Sequence, residues 1–126
     1  MVMGTPSSDG VFSLSISERR NGIARVAQVV HLHGELDIAS VARLRATMDN
    51  LLVDGPTQVI VVDLTDLTFI DSSGLGALVG AHRKARVLKC TLRVVCGEGM
   101  ASRVIEMTGL QHVLATADSV ERAVAL

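Results

Sequence analysis

Residues 59–64, Val-Ile-Val-Val-Asp-Leu, form a nearly continuous β-branched run, and few folds can hold it. Side chains of a strand alternate between its two faces, so a run that is apolar at consecutive positions needs cover on both sides, as in the interior of a sheet flanked by helices. The run is read as a central strand. Upstream, Val41, Leu44, Met48 and Leu51 recur three, four and three residues apart, which places them on one face of a helix. Asp37 or Ser40 can cap that helix, and Asp54-Gly55-Pro56 stops it.

The remaining elements follow the same logic. Phe12, Leu14 and Ile16 alternate with Ser13, Ser15 and Ser17, the period of a half-buried strand. Asn21-Gly22 signals a turn, residues 26–32 form a second strand, and the polar stretch from Glu18 predicts a hairpin loop longer than two residues. Further helices are expected at 72–88 and 102–107, the second ended by Gly109, with a strand at 92–96 and an edge strand at 112–115. Asp118 with Glu121 reads as a capping box opening a last helix with Val120, Ala123 and Val124 on one side. The order is ββαβαβαβα, an α/β layer with an N-terminal antiparallel hairpin and parallel strands, helices packed on the sheet. Residues 1–10, with Gly4, Pro6 and a polar run, are expected to be a flexible tail, and 11–126 one domain.

Composition narrows the function. Twelve Lys plus Arg against thirteen Asp plus Glu, a net charge of -1, offer no basic field for a nucleic acid. Two Phe with no Trp or Tyr leave no base-stacking platform. No apolar run reaches the ~18 residues of a membrane span, and the N-terminus lacks a signal peptide's basic start and apolar stretch. The expectation is a soluble cytoplasmic protein with neither nucleic acid nor membrane as partner. Cys90 and Cys96 flank one strand, about 20 Å apart and beyond the reach of a disulfide, so two buried thiols are expected.

The chemistry concentrates in Phe69-Ile70-Asp71-Ser72-Ser73-Gly74-Leu75-Gly76, directly after the central strand, where α/β folds present functional groups. Gly74 and Gly76 each cost ~1 kcal/mol against Ala in a helix, so something other than propensity put them there: close approach of another backbone, or tight packing of helix on sheet. Ser72 is the natural N-cap, and a phosphate attached to it would be favoured by the helix terminus. Asp71 and Ser72 acting only as a cap is the plain alternative.

Two segments together, Gly34-Glu35-Leu36-Asp37 before the first helix and Asp71-Ser72-Ser73-Gly74-Leu75-Gly76 before the second, resemble the STAS domain of anti-sigma factor antagonists. The resemblance spans about residues 11–126, and neither motif departs from the family's pattern. It implies a STAS-type mixed sheet and a binding module that is not an enzyme and needs no cofactor. Unphosphorylated, such a protein captures an anti-sigma factor that is also an ATP-dependent serine kinase, releasing a sigma factor; phosphorylation switches it off and a phosphatase resets it. By position the phosphorylated residue is Ser72, and Glu35, Asp37, Asp71, Ser73, Gly74 and Gly76 fall on the partner-binding surface. The alternatives are a STAS scaffold of a larger signalling assembly and a nucleotide-binding protein using the glycine-rich turn.

Other patterns are weaker. Gly74, Gly76 and Gly80 miss the dinucleotide fingerprint, because its third glycine would stand where Val79 is. His31 and His33 share a strand face but lack a third metal ligand in sequence. His82 lies roughly three turns from Ser72, and no G-x-S-x-G elbow marks a serine hydrolase. Met100 and Met107 read as packing, and Arg83, Lys84 and Arg86 as a solvated helix face.

Overall fold

The computed structural model describes residues 12–53 and 58–125; the expected tail and the Asp54-Gly55-Pro56 stop lie outside them. In chain order the elements are β1 (Phe12–Asn21), β2 (Ala24–Leu36), α1 (Val41–Leu52), β3 (Val59–Ile70), α2 (Ser72–Val87), β4 (Thr91–Val95), α3 (Met100–Thr108), β5 (Ala115–Ala117) and α4 (Val120–Ala125), with a 3-10 turn at Leu110–His112. The order ββαβαβαβα is the one expected. One sheet runs β1-β2-β3-β4-β5, with β1 antiparallel to β2 and the other neighbours parallel, so β3 is central.

β3 is covered on both faces. Ile60, Val62 and Leu64 join Leu44 and Met48 of α1, Leu78 of α2 and Ile105 of α3 in one buried cluster. Val61 points the other way, packing with Val29, Val95 and the α4 residues Val120 and Ala123. α1, α2 and α3 therefore line one face and α4 the other. The helical stripe Val41, Leu44, Met48, Leu51 is buried as its spacing required. Cys90 and Cys96 are buried thiols.

Several boundaries differ from the sequence reading, each for a local reason. The hairpin loop is only Gly22-Ile23, because Asn21 still pairs with Ala24 and Gly22 takes φ +66°. The polar stretch stays in β1, where Glu18 receives hydrogen bonds from Arg20 at 2.8 Å and Arg25 at 3.4 Å. The Arg20 bond first, then the charges of both arginines, hold the Glu18 carboxyl below its ordinary pKa. β2 and β3 are longer than expected, and the 92–96 strand is Thr91–Val95. α3 starts at Met100, earlier than expected, but ends at Gly109 with φ +76° as predicted. The last strand is Ala115–Ala117, not 112–115, because Leu110–His112 coil into a 3-10 turn and Leu114 is buried in the core. Ser119, not Asp118, caps α4 by accepting from the Arg122 N–H at 3.1 Å; Asp118 pairs with the Arg122 guanidinium instead.

Candidate functional site

The parallel pairing of β2 with β3 brings the two motifs together. Their register ends with Glu35 opposite Phe69 and Leu36 opposite Ile70, after slips between His31 and His33 and between Gly34 and Glu35. Gly34 takes φ +93° at the second slip, a conformation that disfavours any residue with a Cβ. Past the paired ends, the Asp71 N–H donates to the Leu36 carbonyl at 3.2 Å, so the turn after β2 and the turn after β3 are bonded to each other.

In the first turn, Asp37 Oδ1 accepts from the N–H groups of Ala39 at 3.0 Å and Ser40 at 3.2 Å. Ser40 is wholly buried, and its hydroxyl donates to the Glu35 carbonyl at 2.8 Å while accepting from the Asp37 N–H at 3.0 Å. It occupies the cap position of α1 without a side-chain cap bond. Of the two residues expected to cap α1, Asp37 thus shapes the approach and Ser40 ties it down.

In the second turn the N-cap is Asp71, not Ser72: Asp71 Oδ1 accepts from the Gly74 N–H at 3.0 Å, and its carbonyl accepts from Leu75 at 3.0 Å. Aspartate and serine cap comparably well, and the bond from Asp71 to Leu36 fixes which one stands at the junction. Ser72 becomes the first helical residue and is exposed, whereas Ser73 is half-buried. The two glycines part company. Gly74 is buried, and a Cβ on it would lie 2.8 Å from Ile70 Cγ1 and 2.9 Å from both Leu36 Cγ and the Leu36 carbonyl oxygen. It does not leave the outer surface bare; it lets α2 start against the ends of β2 and β3. Gly76 is exposed with nothing within 4 Å of a Cβ, and opens on a groove of about 220 Å³ between α1 and α2 lined by Leu44, Met48, Gly80, Ala81 and Lys84.

Glu35 and Asp37 are half-buried beside this junction, while Ile38 and Phe69 are exposed there. The sequence reading missed the last two. Ile38 stands three residues before Val41 and by spacing reads as one more residue of the α1 stripe, which only the start of α1 at Val41 rules out; Phe69, an aromatic residue at a strand end next to the motif in a chain with two Phe, was the available signal.

His31 and His33 are not brought to a third ligand. His31 Nε2 lies 3.0 Å from the Ser17 hydroxyl and its Nδ1 3.2 Å from Asp63 Oδ2, while Asp63 Oδ1 accepts from Thr65. This row clips β1 to β3 across β2. Besides the groove between α1 and α2, a cleft of about 520 Å³ opens between α3 and α4. Among the described residues no group of three or more His, Cys, Asp or Glu could hold a metal ion, and no helix is long and apolar enough to cross a membrane. Cys96 lines the α3–α4 cleft. Burial first, then the charges of Asp63 and Glu106, pushes its thiol up to about 11, so it carries almost no thiolate near neutrality. Thiol reagents at pH 8 are expected to label Cys96 far more slowly in the native protein than after denaturation, read by peptide mapping; equal rates would show that the site opens readily.

Residues 17–123 match the STAS domain. The chain belongs to the STAS family. An anti-sigma F factor antagonist of Lysinibacillus sphaericus is 28% identical over 88 residues, covering 70% of this chain and 75% of the relative. An anti-sigma-B factor antagonist of Staphylococcus aureus is 31% identical over 85 residues, 68% of this chain and 78% of the relative. Among solved structures, an anti-sigma factor antagonist from Mycobacterium paratuberculosis superposes with a TM-score of 0.79 at 22% identity, covering 98% of this chain and 97% of that one. The antagonist SpoIIAA in its unphosphorylated form gives 0.69 at 24% identity, covering 89% and 93%. The mixed five-stranded sheet of this STAS domain is the fold those structures share.

Proposed function

We propose that this STAS domain is an anti-sigma factor antagonist: unphosphorylated, it captures an anti-sigma factor with serine kinase activity and so frees a sigma factor, and phosphorylation of Ser72 by that kinase ends the capture. The observation that carries the reading is the exposed Ser72 at the first residue of α2, beside an Asp71 already committed to capping. Such a hydroxyl can be modified without dismantling a cap. The names of the curated relatives support the antagonist role, and the relative SpoIIAA is known in a phosphorylated form as well. A phosphate would add about 1.5 to 2 negative charges next to Asp71 and Asp37, changing the surface a partner meets, while the helix terminus favours the charge within the protein. A phosphatase completes the cycle.

The nucleotide-binding alternative loses its support, because the Gly74 and Leu75 N–H groups donate to Asp71 and the space a Gly74 Cβ would occupy is filled by Leu36 and Ile70. The test is incubation with candidate anti-sigma kinases and ATP followed by phosphosite mapping. A single phosphate on Ser72 is expected, with capture only before the transfer. Modification confined to Ser73, or no modification and no capture with any such kinase, would overturn the proposal.

A further inference from the structure

A kinase that reaches Ser72 must cover the carboxyl ends of β2 and β3, and that surface holds two large apolar side chains that the core does not use. Ile38, 75% exposed, follows Asp37 in the turn into α1; Phe69, 41% exposed, stands opposite Glu35 two residues before Asp71. Of the carboxylates beside them, Asp37 and Asp71 are poorly placed to supply the binding energy, because they spend their Oδ1 atoms on backbone N–H groups of their own turns; the third, Glu35, is half-buried opposite Phe69. The other large exposed apolar residues among those described lie away from this end: Ile16 in mid-β1, Ile23 and Val26 at and beside the hairpin tip, Val53, Val87, Leu88 and Met107 at the far ends of helices, and Val113 before β5.

We infer that Ile38 and Phe69 are the anchors by which the chain holds its anti-sigma partner, which therefore presents an apolar docking surface here; the inference rests on the function proposed above. Binding energy at protein interfaces concentrates in a few large side chains that become fully desolvated. Partly solvated carboxylates bonded within their own turns contribute little to it. An apolar docking surface also accounts for release. It offers no countercharge to a phosphate on Ser72, which would have to shed its water uncompensated, so affinity falls although the fold is unchanged.

The test measures affinity for the kinase that modifies Ser72, using Ile38→Ala, Phe69→Ala and, to retain a strand-favouring residue, Phe69→Thr. Val87→Ala, exposed at the far end of α2, is the control. Each substitution at Ile38 or Phe69 is expected to weaken capture by at least about tenfold, with the melting temperature unchanged for Ile38→Ala and lowered less by Phe69→Thr than by Phe69→Ala, and Val87→Ala to leave capture as it is. Capture by the unsubstituted chain should vary little with salt. If that chain is captured, and affinity is unaltered at both positions or collapses with salt, docking is not through these anchors and the inference falls alone. If the unsubstituted chain is not captured at all, the functional reading falls and takes this one with it.

Discussion

Gly74→Ala is expected to lower the melting temperature, whereas Gly76→Ala, two residues along the same helix, should leave it unchanged or raise it. A Cβ at Gly74 would sit 2.8 Å from Ile70 Cγ1 and 2.9 Å from Leu36 Cγ and from the Leu36 carbonyl oxygen. Side-chain atoms can shift, but that carbonyl accepts the Asp71 N–H that joins the two turns, so yielding there moves the backbone junction of the site. Overpacking of this kind costs about 1–3 kcal/mol, a fall of roughly 4–11 °C for a chain this size. At Gly76 the added methyl meets open space, and helix propensity alone gives up to ~1 kcal/mol of stabilisation. Thermal unfolding of the two variants side by side is the measurement. Equal melting temperatures would mean that the start of α2 does not press on β2 and β3 as tightly as described. Gly76→Ala also separates fold from function, because a stabilised variant with weakened capture would show that the groove between α1 and α2 belongs to the partner surface. Normal capture would remove Gly76 from it.

What the sequence disclosed and what it withheld follow from how local each cause is. The β-branched run of β3 and the stripe Val41, Leu44, Met48, Leu51 encode burial directly, and Gly109 encodes a left-handed helix stop; all three were legible. The added lengths of β2 and β3 were not. Beyond Leu32 and Leu64 polar residues such as His33 and Asp66, which pair with each other, interrupt the apolar pattern without ending the strands. β5 is dictated by pairing, since Ala115-Thr116-Ala117 has little strand preference and is held by Arg93, Val94 and Val95 of β4. At the site, the motifs marked the two segments that the structure brings together, but the roles of individual residues in them depended on contacts between segments far apart in sequence. Asp71 rather than Ser72 caps α2 because of Leu36, and Gly74 rather than Gly76 is the packing glycine because α2 lies against the same residue.

Ser72→Ala is expected to abolish phosphorylation while the variant remains folded and captures its partner whether or not ATP is present. Because Asp71 supplies the cap bond to Gly74, removing the Ser72 hydroxyl takes no hydrogen bond from the helix start, and alanine is the better helix former. The melting temperature should therefore hold or rise slightly. Asp71→Ala makes the contrast: it deletes the cap, at about 0.5–2 kcal/mol, and should unfold at a lower temperature with Ser72 intact. Phosphorylated wild type lies between them. The helix terminus favours the new charge by about 0.3–1 kcal/mol, and repulsion from Asp71 and Asp37 in the bonded turns opposes it, so stability changes little while capture is lost. Mass spectrometry after incubation with kinase and ATP, capture assays with and without ATP, and thermal unfolding of all three species read these outcomes. Phosphate on the Ser72→Ala variant would move the acceptor to Ser73. Loss of its capture on adding ATP would mean that release does not run through this hydroxyl, and a drop in its melting temperature matching that of Asp71→Ala would return the cap to Ser72.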